Sequence, residues 1–210
     1  MAKKLLIPGL GGSEQGHWQQ WWLACDPAAS IVAQHDWANP DASAWVDRLA
    51  AAVSENPDSI LVGHSLGATL IPLLARARPQ LNIRGALIVA PADADESAAL
   101  REIAPGFAPI PDARLPFPSI VVASTNDPYL RIERATKLAR AWGAQLVHAG
   151  EGGHINAASG YGPWPRGLEL AARLLRNAPH VARFRLPHVR QKSGSHVAPI
   201  ERDAAPHPAQ

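Results

Sequence analysis

A serine framed by two glycines stands where an apolar segment gives way to a segment with helical spacing, in LVGHSLG at positions 61–67. A joint this tight holds the serine outward in a strained backbone conformation, and Gly63 and Gly67 lack the side chains that would collide across it. The amide of Leu66 falls at the start of the helix, where it has no intrahelical partner and can donate to an oxyanion. The pattern therefore predicts Ser65 as a nucleophile.

A serine hydroxyl needs a base that takes its proton and an acid that orients the base. His154 is the best placed of the nine histidines, because it follows the last predicted strand in the glycine-rich stretch HAGEGGHINAASG. His148 lies within that strand and is interpreted as a packed or edge residue. The predicted base is therefore His154.

Asp127 is the predicted acid, because VVASTNDPYL places it just after an apolar segment. The same aspartate could instead cap a helix that begins near Pro128 and Tyr129. Asp93 and Asp95 are the fallback acids. The chain order Ser65, Asp127, His154 is the Ser, acid, His order of α/β-hydrolases.

An oxyanion hole needs a second donor, and the glycine-rich stretch IPGLGGSEQGHW offers the Leu10 amide. The spacing of its glycines fits neither of the two common nucleotide-binding motifs, which argues against a phosphate cradle. His148 and His154 lack the helical H-E-x-x-H context, so metal-dependent hydrolysis is disfavoured.

The elements that must position these residues are six short apolar segments: KKLLIPG, SIVAQHDW, SILVGHS, IRGALIVAPA, PSIVVAST and AQLVHAG. They are typical of strands buried on both faces, and they alternate with helical patterns near 17–26, 41–54, 66–77, 129–142 and 166–177. This alternation predicts an α/β fold of about six mostly parallel strands with helices on both faces. Reactive groups in such sheets collect beyond the carboxyl ends of the strands. Residues 92–117 predict one short helix and a loop, a minimal cap over the site.

The amino-acid composition limits the possible domain organisation and the possible binding partners of the chain. The 210 residues, 47% hydrophobic and 18% charged, predict one domain at 1–177 and a flexible, basic, proline-containing tail at 178–210. Five basic and two acidic residues fall in that tail, which leaves residues 1–177 with a formal charge of −1 and argues against nucleic acid as a partner. The tail could add weak attraction to an acidic partner. No apolar stretch suits a signal peptide or membrane span, and with the single Cys25 this predicts a cytoplasmic protein that does not engage a membrane.

The residues IPGLGG, HWQQWW, QHDWANPDASAWVDRL, ILVGHSLG, STNDPY and GEGGHINAASGYGPWPRG resemble the small serine hydrolase family typified by retinoblastoma-binding protein nine and its bacterial relatives. The resemblance runs from about residue 3 to 176. It implies a compact α/β-hydrolase domain that needs no cofactor, with Ser65, Asp127 and His154 as its triad. It also implies activity on simple activated esters.

Two readings of the tryptophans remain open at this point. Five of the seven lie in the first quarter of the chain, where packing between helices and sheet is the ordinary explanation. The alternative is that Trp18 and Trp37 wall an acyl pocket.

The leading hypothesis is an esterase that works on a small ester or acyl substrate through an acyl-enzyme. A thioesterase or amidase with the same triad, and an interaction module that retains the fold, are the alternatives.

Overall fold

Six apolar segments pair side by side into one sheet in the computed structural model, which describes residues 2–177. The strands are β1 (Lys4–Ile7), β2 (Ala29–Ile31), β3 (Ser59–His64), β4 (Ile83–Val89), β5 (Ser119–Ala123) and β6 (Gln145–His148). They lie in the order β2-β1-β3-β4-β5-β6, and every neighbouring pair is parallel. The predicted sheet is confirmed.

Helices cover both faces of the sheet, as predicted. They are α1 (Trp18–Cys25), α2 (Ala42–Glu55), α3 (Leu66–Ala77), α4 (Ala98–Ile103), α5 (Ile132–Trp142) and α6 (Pro165–Asn177). Apolar residues of α2, α3 and α5 form one core cluster and those of α1 and α6 the other. Successive strand residues alternate between the two clusters, since Leu61 packs in the first and its neighbours Ile60 and Val62 in the second. This explains why the strands are apolar at almost every position.

Two elements differ from the sequence expectation. The apolar pattern of 30–37 extends beyond β2, which pairs with β1 over three residues and ends at Ile31. Helix α5 begins at Ile132, later than predicted, with Arg131 as its N-cap. The Asp127 carboxylate accepts from the Tyr129 amide in the loop before this helix. Asp127 is therefore not a helix cap.

The segment between β4 and β5 is a minimal cap, as predicted. It holds the short helix α4, a single 3-10 turn at Pro105–Phe107 and a loop. Within residues 2–177, no helix combines the length and apolar character needed to cross a membrane. The predicted tail at 178–210, with its expected acidic partner, lies outside the described residues.

The turn between β3 and α3 brings backbone into contact with backbone. Ser65 has a φ of 56°, in the left-handed region that residues with a side chain rarely adopt. A Cβ added to Gly67 would lie 2.1 Å from the Ile7 carbonyl oxygen and 2.4 Å from that of Pro8. One added to Gly63 would lie 2.5 Å from the Gly67 carbonyl oxygen. Both glycines are required because β1, β3 and α3 meet here without room for a methyl group.

We expect Gly67→Ala to lower the free energy of unfolding by more than about 3 kcal/mol, because the colliding atoms are rigid backbone. Gly11→Ala is the control for backbone strain without a collision, since Gly11 has a positive φ of 74°, which Gly67 does not, and a Cβ there meets nothing within 4 Å. That change should cost about 1 kcal/mol through backbone strain alone. Urea unfolding of both variants measures the difference, and equal losses would contradict the packing explanation.

Candidate active site

Three side chains from distant parts of the chain meet at the carboxyl edge of the sheet. Ser65 Oγ lies 2.9 Å from His154 Nε2, and His154 Nδ1 lies 3.0 Å from each carboxylate oxygen of Asp127. Ser65 follows β3, Asp127 follows β5 and His154 follows β6. The structure thus brings together the three residues that sequence analysis singled out for nucleophile, acid and base.

The partners of the imidazole fix the direction of its hydrogen bonds. A carboxylate can only accept, so His154 Nδ1 carries the proton and donates it to Asp127. In a neutral imidazole this leaves Nε2 as an acceptor for the Ser65 hydroxyl. The Asp127 carboxylate is fully buried and the His154 side chain nearly so. The arrangement can draw a proton from Ser65 and hold it on an imidazolium that is paired with a carboxylate.

The loop after β1 runs directly against the serine. A Cβ on Gly9 would lie 2.7 Å from Ser65 Cβ, so the following residue, Leu10, is held beside the hydroxyl. Within the described residues, neither the Leu10 amide nor the Leu66 amide donates to a protein acceptor. Both residues line the cavity at Ser65. Two free N–H groups here are what an oxyanion requires.

The loop that carries His154 has an unusual backbone. Gly153 has a φ of 55° and Ile155 a φ of 51°, so the histidine stands between two left-handed residues. For a β-branched side chain such as isoleucine this conformation is a clear outlier. Strain of this kind persists where the surroundings over-determine the conformation.

Three side chains from three separate elements supply that constraint, and we call them the loop clamp: Ser124, His64 and Trp18. They donate to three consecutive carbonyls. Ser124 Oγ donates to Gly153, His64 Nε2 to His154 at 2.9 Å and Trp18 Nε1 to Ile155 at 2.9 Å. The clamp fixes the backbone that presents His154 to the serine.

Two other histidines stand in line behind His154. The ring centroids of His64 and His154 are 4.9 Å apart, and those of His17 and His64 are 4.8 Å apart. Burial, followed by the proximity of His154, lowers the pKa of His17 to about 4. Burial and then the neighbouring His154 and His17 hold the pKa of His64 well below its usual value. Both rings are therefore neutral near pH 7, and His64 has one proton, on the nitrogen that faces the His154 carbonyl.

A cavity of about 380 Å³ opens beside Ser65. Its walls are the glycine-rich loop after β1, the segment after β4 with one face of α4, and the loops that hold Tyr129 and His154. This volume suits a small molecule or part of one. Residues 2–177 contain no group of three or more His, Cys, Asp or Glu side chains placed to hold a metal ion.

Trp18 and Trp37, considered above as walls of an acyl pocket, do not line this cavity. Trp18 is fully buried against Trp22 and Trp164, with ring centroids 5.3 Å and 5.1 Å away, and its N–H serves the loop clamp. The Trp37 ring lies against Gly12 and Trp45, and its carbonyl accepts from the Gly11 amide at 2.9 Å. Trp37 thus supports the glycine loop from outside the cavity. The packing interpretation fits both residues.

The fallback acids are engaged elsewhere. Arg134 binds Asp93 through Nε at 3.2 Å and Asp95 through Nη2 at 2.6 Å. His148 ends β6 with an exposed side chain, consistent with an edge residue. Of the candidate acids, it is Asp127 that contacts His154.

Sequence reasoning missed the loop clamp and the cavity walls on α4. Trp18 follows a histidine in the sequence, and His64 belongs to the serine motif. No local pattern around either residue indicates that its hydrogen-bond partner lies near residue 154. The hydrogen bond from Trp18 spans 137 residues and that from His64 spans 90.

Comparison with known proteins supports the resemblance found in the sequence. The model of the serine hydrolase family matches residues 4–173. No curated protein matches the chain at a significant level.

Solved structures share the fold over most of the chain. A putative YdeN-like hydrolase from Pectobacterium atrosepticum is 35% identical, with a TM-score of 0.75 over 85% of this chain and 94% of that one. The ydeN gene product of B. subtilis is 19% identical, with a TM-score of 0.68 over 84% and 100%. A thermophilic esterase from Thermogutta terrifontis is 15% identical, with a TM-score of 0.62 over 84% and 90%.

The loop clamp predicts that Trp18→Phe loosens residues 153–156, because the Ile155 carbonyl loses its donor while most of the ring packing remains. Amide hydrogen exchange of these residues should accelerate by roughly tenfold, the effect of leaving one buried acceptor unpaired. Trp22→Phe is the matched control. Trp22 is fully buried in the same cluster, but its Nε1 has no hydrogen-bond partner in the described structure. Equal acceleration in both variants would show that the aromatic packing, not the hydrogen bond, holds the loop.

The low pKa of His17 predicts how stability responds to acid. An unfolded chain takes up this proton near pH 6.5 and the folded chain near pH 4, so the free energy of unfolding falls as the pH drops between these values.

His17 also caps α1, since its Nδ1 accepts from the Gln19 amide at 3.2 Å. His17→Asn keeps a capping acceptor and removes the titrating group, so the slope of stability against pH should decrease by about one proton. Unfolding titrations between pH 4 and 7 measure it, with exposed His148→Asn as control, and an unchanged slope in His17→Asn would contradict the assignment.

Proposed function

The chain belongs to the serine hydrolase family, and we propose that it cleaves carboxylic esters through a covalent acyl-enzyme formed on Ser65. The observation that carries the proposal is the continuous relay from the Ser65 hydroxyl through His154 to Asp127, at 2.9 Å and 3.0 Å, beside a cavity. The esterase named above has the same fold, which agrees with an ester substrate.

In the first half-reaction His154 Nε2 takes the hydroxyl proton as Ser65 Oγ forms a bond to the ester carbonyl carbon. The carbonyl oxygen gains the electron pair of its π bond and becomes an oxyanion. The amides of Leu10 and Leu66 donate to it. Asp127 keeps the imidazole in the required tautomer and stabilises its charged form.

The tetrahedral intermediate then collapses. The bond to the alkoxy oxygen breaks, His154 returns its proton to that oxygen, and the alcohol leaves an acyl group on Ser65. In the second half-reaction His154 takes a proton from water, whose oxygen attacks the acyl carbon, and Ser65 recovers its proton. One ester and one water thus give one acid and one alcohol.

A thioester or an amide would follow the same steps, with a thiol or an amine as the leaving group. The preference among ester, thioester and amide substrates depends on how well His154 protonates each leaving group. A series with one acyl group joined to nitrophenol, a thiol or nitroaniline compares the three directly, and we expect the ester to give the highest kcat/KM.

The nucleophile is tested by labelling with a fluorophosphonate probe. Native protein should gain one adduct on the peptide that contains Ser65, and Ser65→Ala should gain none. Hydrolysis of 4-nitrophenyl acetate should fall by about 10⁴-fold or more in Ser65→Ala and by on the order of 10³–10⁴-fold in Asp127→Asn.

Ser54→Ala, a surface serine on α2, is the control variant and should label and turn over like the native protein. Labelling of Ser65→Ala at the native rate would place the nucleophile elsewhere. An Asp127→Asn variant as active as native protein would remove the aspartate from the relay.

A further inference from the structure

Three large apolar side chains in the described structure are exposed, and all three border the cavity at Ser65. Leu10 is 40% exposed, Ile103 47% and Tyr129 47%. They come from three different segments, the loop after β1, the end of α4 and the loop after β5. Apolar side chains left in water around one opening mark a binding surface, because each would lower its free energy by being covered. We call these three residues the apolar rim.

Behind the rim, the inner wall is also apolar. Leu66, Ala92 and Leu100 line it, and each is nearly or fully buried. Leu100 and Ile103 are three residues apart on α4, so they share one helix face and continue the inner wall out to the rim. An extended chain attached to Ser65 Oγ therefore meets apolar surface along this side of the cavity.

Polar contacts at the start of α4 hold this wall in place. The Ser97 hydroxyl caps α4 by accepting from the Leu100 amide at 3.2 Å. Asp95, two residues earlier, accepts from the Ile110 amide at 3.0 Å and pairs with Arg134 on α5. These contacts tie α4, and with it Ile103, to the body of the domain.

The charges around the cavity disfavour an anionic ligand. Glu14 carries a negative charge, and no lysine or arginine lies among the lining residues of the described chain. His17 and His64 are neutral because burial lowers their pKa. A carboxylate bound along the wall would lose its hydrating water and find no group of opposite charge there. The free-energy cost of burying such an unpaired charge is high.

We propose that the apolar rim and the inner wall bind the acyl chain of the ester, and that the substrates are esters of uncharged acyl groups long enough to extend from Ser65 to Ile103. The inference rests on the proposed ester hydrolysis and adds the acyl group to it. Acyl groups that end in a carboxylate are rejected.

The experiment measures kcat/KM for 4-nitrophenyl esters of increasing acyl length, and for esters of equal length that end in a carboxylate. With native protein, kcat/KM should rise about fourfold for each added methylene, the gain for burying one, until the chain passes the rim. The carboxylate-ended esters should be at least about tenfold poorer than their methyl-ended counterparts.

Two substitutions of the same rim residue separate apolar contact from charge. Ile103→Ser should flatten the rise of kcat/KM with chain length. Ile103→Lys should also flatten it and, in addition, should reduce or reverse the discrimination against carboxylate-ended esters, because it introduces the missing cation. Ala98→Lys is the matched control, since it adds the same charge to an exposed position of α4 that does not line the cavity. Its selectivity should equal that of the native protein.

The outcomes distinguish this inference from the proposed function. If Ser65 labels and acetate esters are hydrolysed but kcat/KM does not depend on chain length, the acyl-chain inference is wrong and ester hydrolysis stands. The same conclusion follows if Ile103→Lys and Ala98→Lys show the same selectivity. If no ester is turned over and Ser65 is not labelled, the proposed function itself fails.

Discussion

The hydrogen bond between Ser65 Oγ and His154 Nε2 joins two backbone segments that are each held in a left-handed conformation. Ser65 has a φ of 56°, and His154 is flanked by Gly153 at 55° and Ile155 at 51°. Conformations of this kind cost on the order of 1–3 kcal/mol for a residue with a side chain. They persist because contacts far along the chain fix them. Gly67 packs against the Ile7 and Pro8 carbonyls on one side, and the loop clamp binds the other. The reactive geometry is therefore a property of the whole sheet edge.

The histidines near the relay illustrate how burial assigns different roles to one residue type. His154 has a carboxylate at one nitrogen and a hydroxyl at the other, so both its protonated and neutral forms have a partner. His64 faces a carbonyl at one nitrogen and is buried, so it stays neutral and acts as a fixed donor. A proton on His64 would repel an imidazolium at His154, because their ring centroids are 4.9 Å apart. Keeping both neutral leaves Asp127 as the ion-pair partner of a charged His154.

The sequence predicted those parts of the structure that local patterns determine. Apolar segments buried on both faces predict strands, and the glycines around Ser65 predict a turn too tight for side chains. The placement of Asp127 and His154 followed from one topological rule, that the carboxyl ends of parallel strands meet at one edge. Roles that depend on contacts between distant segments could not be predicted in this way. Trp18 was weighed as a pocket wall because it follows a loop near the site, yet its indole N–H is committed to a carbonyl 137 residues away. The left-handed conformation of Ile155 runs against the preference of a β-branched residue, so only tertiary contacts account for it.

Positioning of the reacting groups and shaping of the cavity fall to different parts of the chain. Ser65, Asp127 and His154 lie in the segments that follow β3, β5 and β6, and backbone pairing between neighbouring strands holds these three strands side by side. The apolar wall continues from Leu66 and Ala92 onto α4, and Asp95, just before α4, pairs with Arg134 on α5. Two backbone hydrogen bonds join the two parts. The Ala92 amide donates to the Ser65 carbonyl, and the Asp93 amide donates to the Tyr129 carbonyl, two residues beyond Asp127. A substitution of Ile103, whose side chain lies at the rim, can therefore change the wall without touching the relay. Under the proposed function, selectivity can therefore change through α4 while the three residues at the sheet edge stay the same.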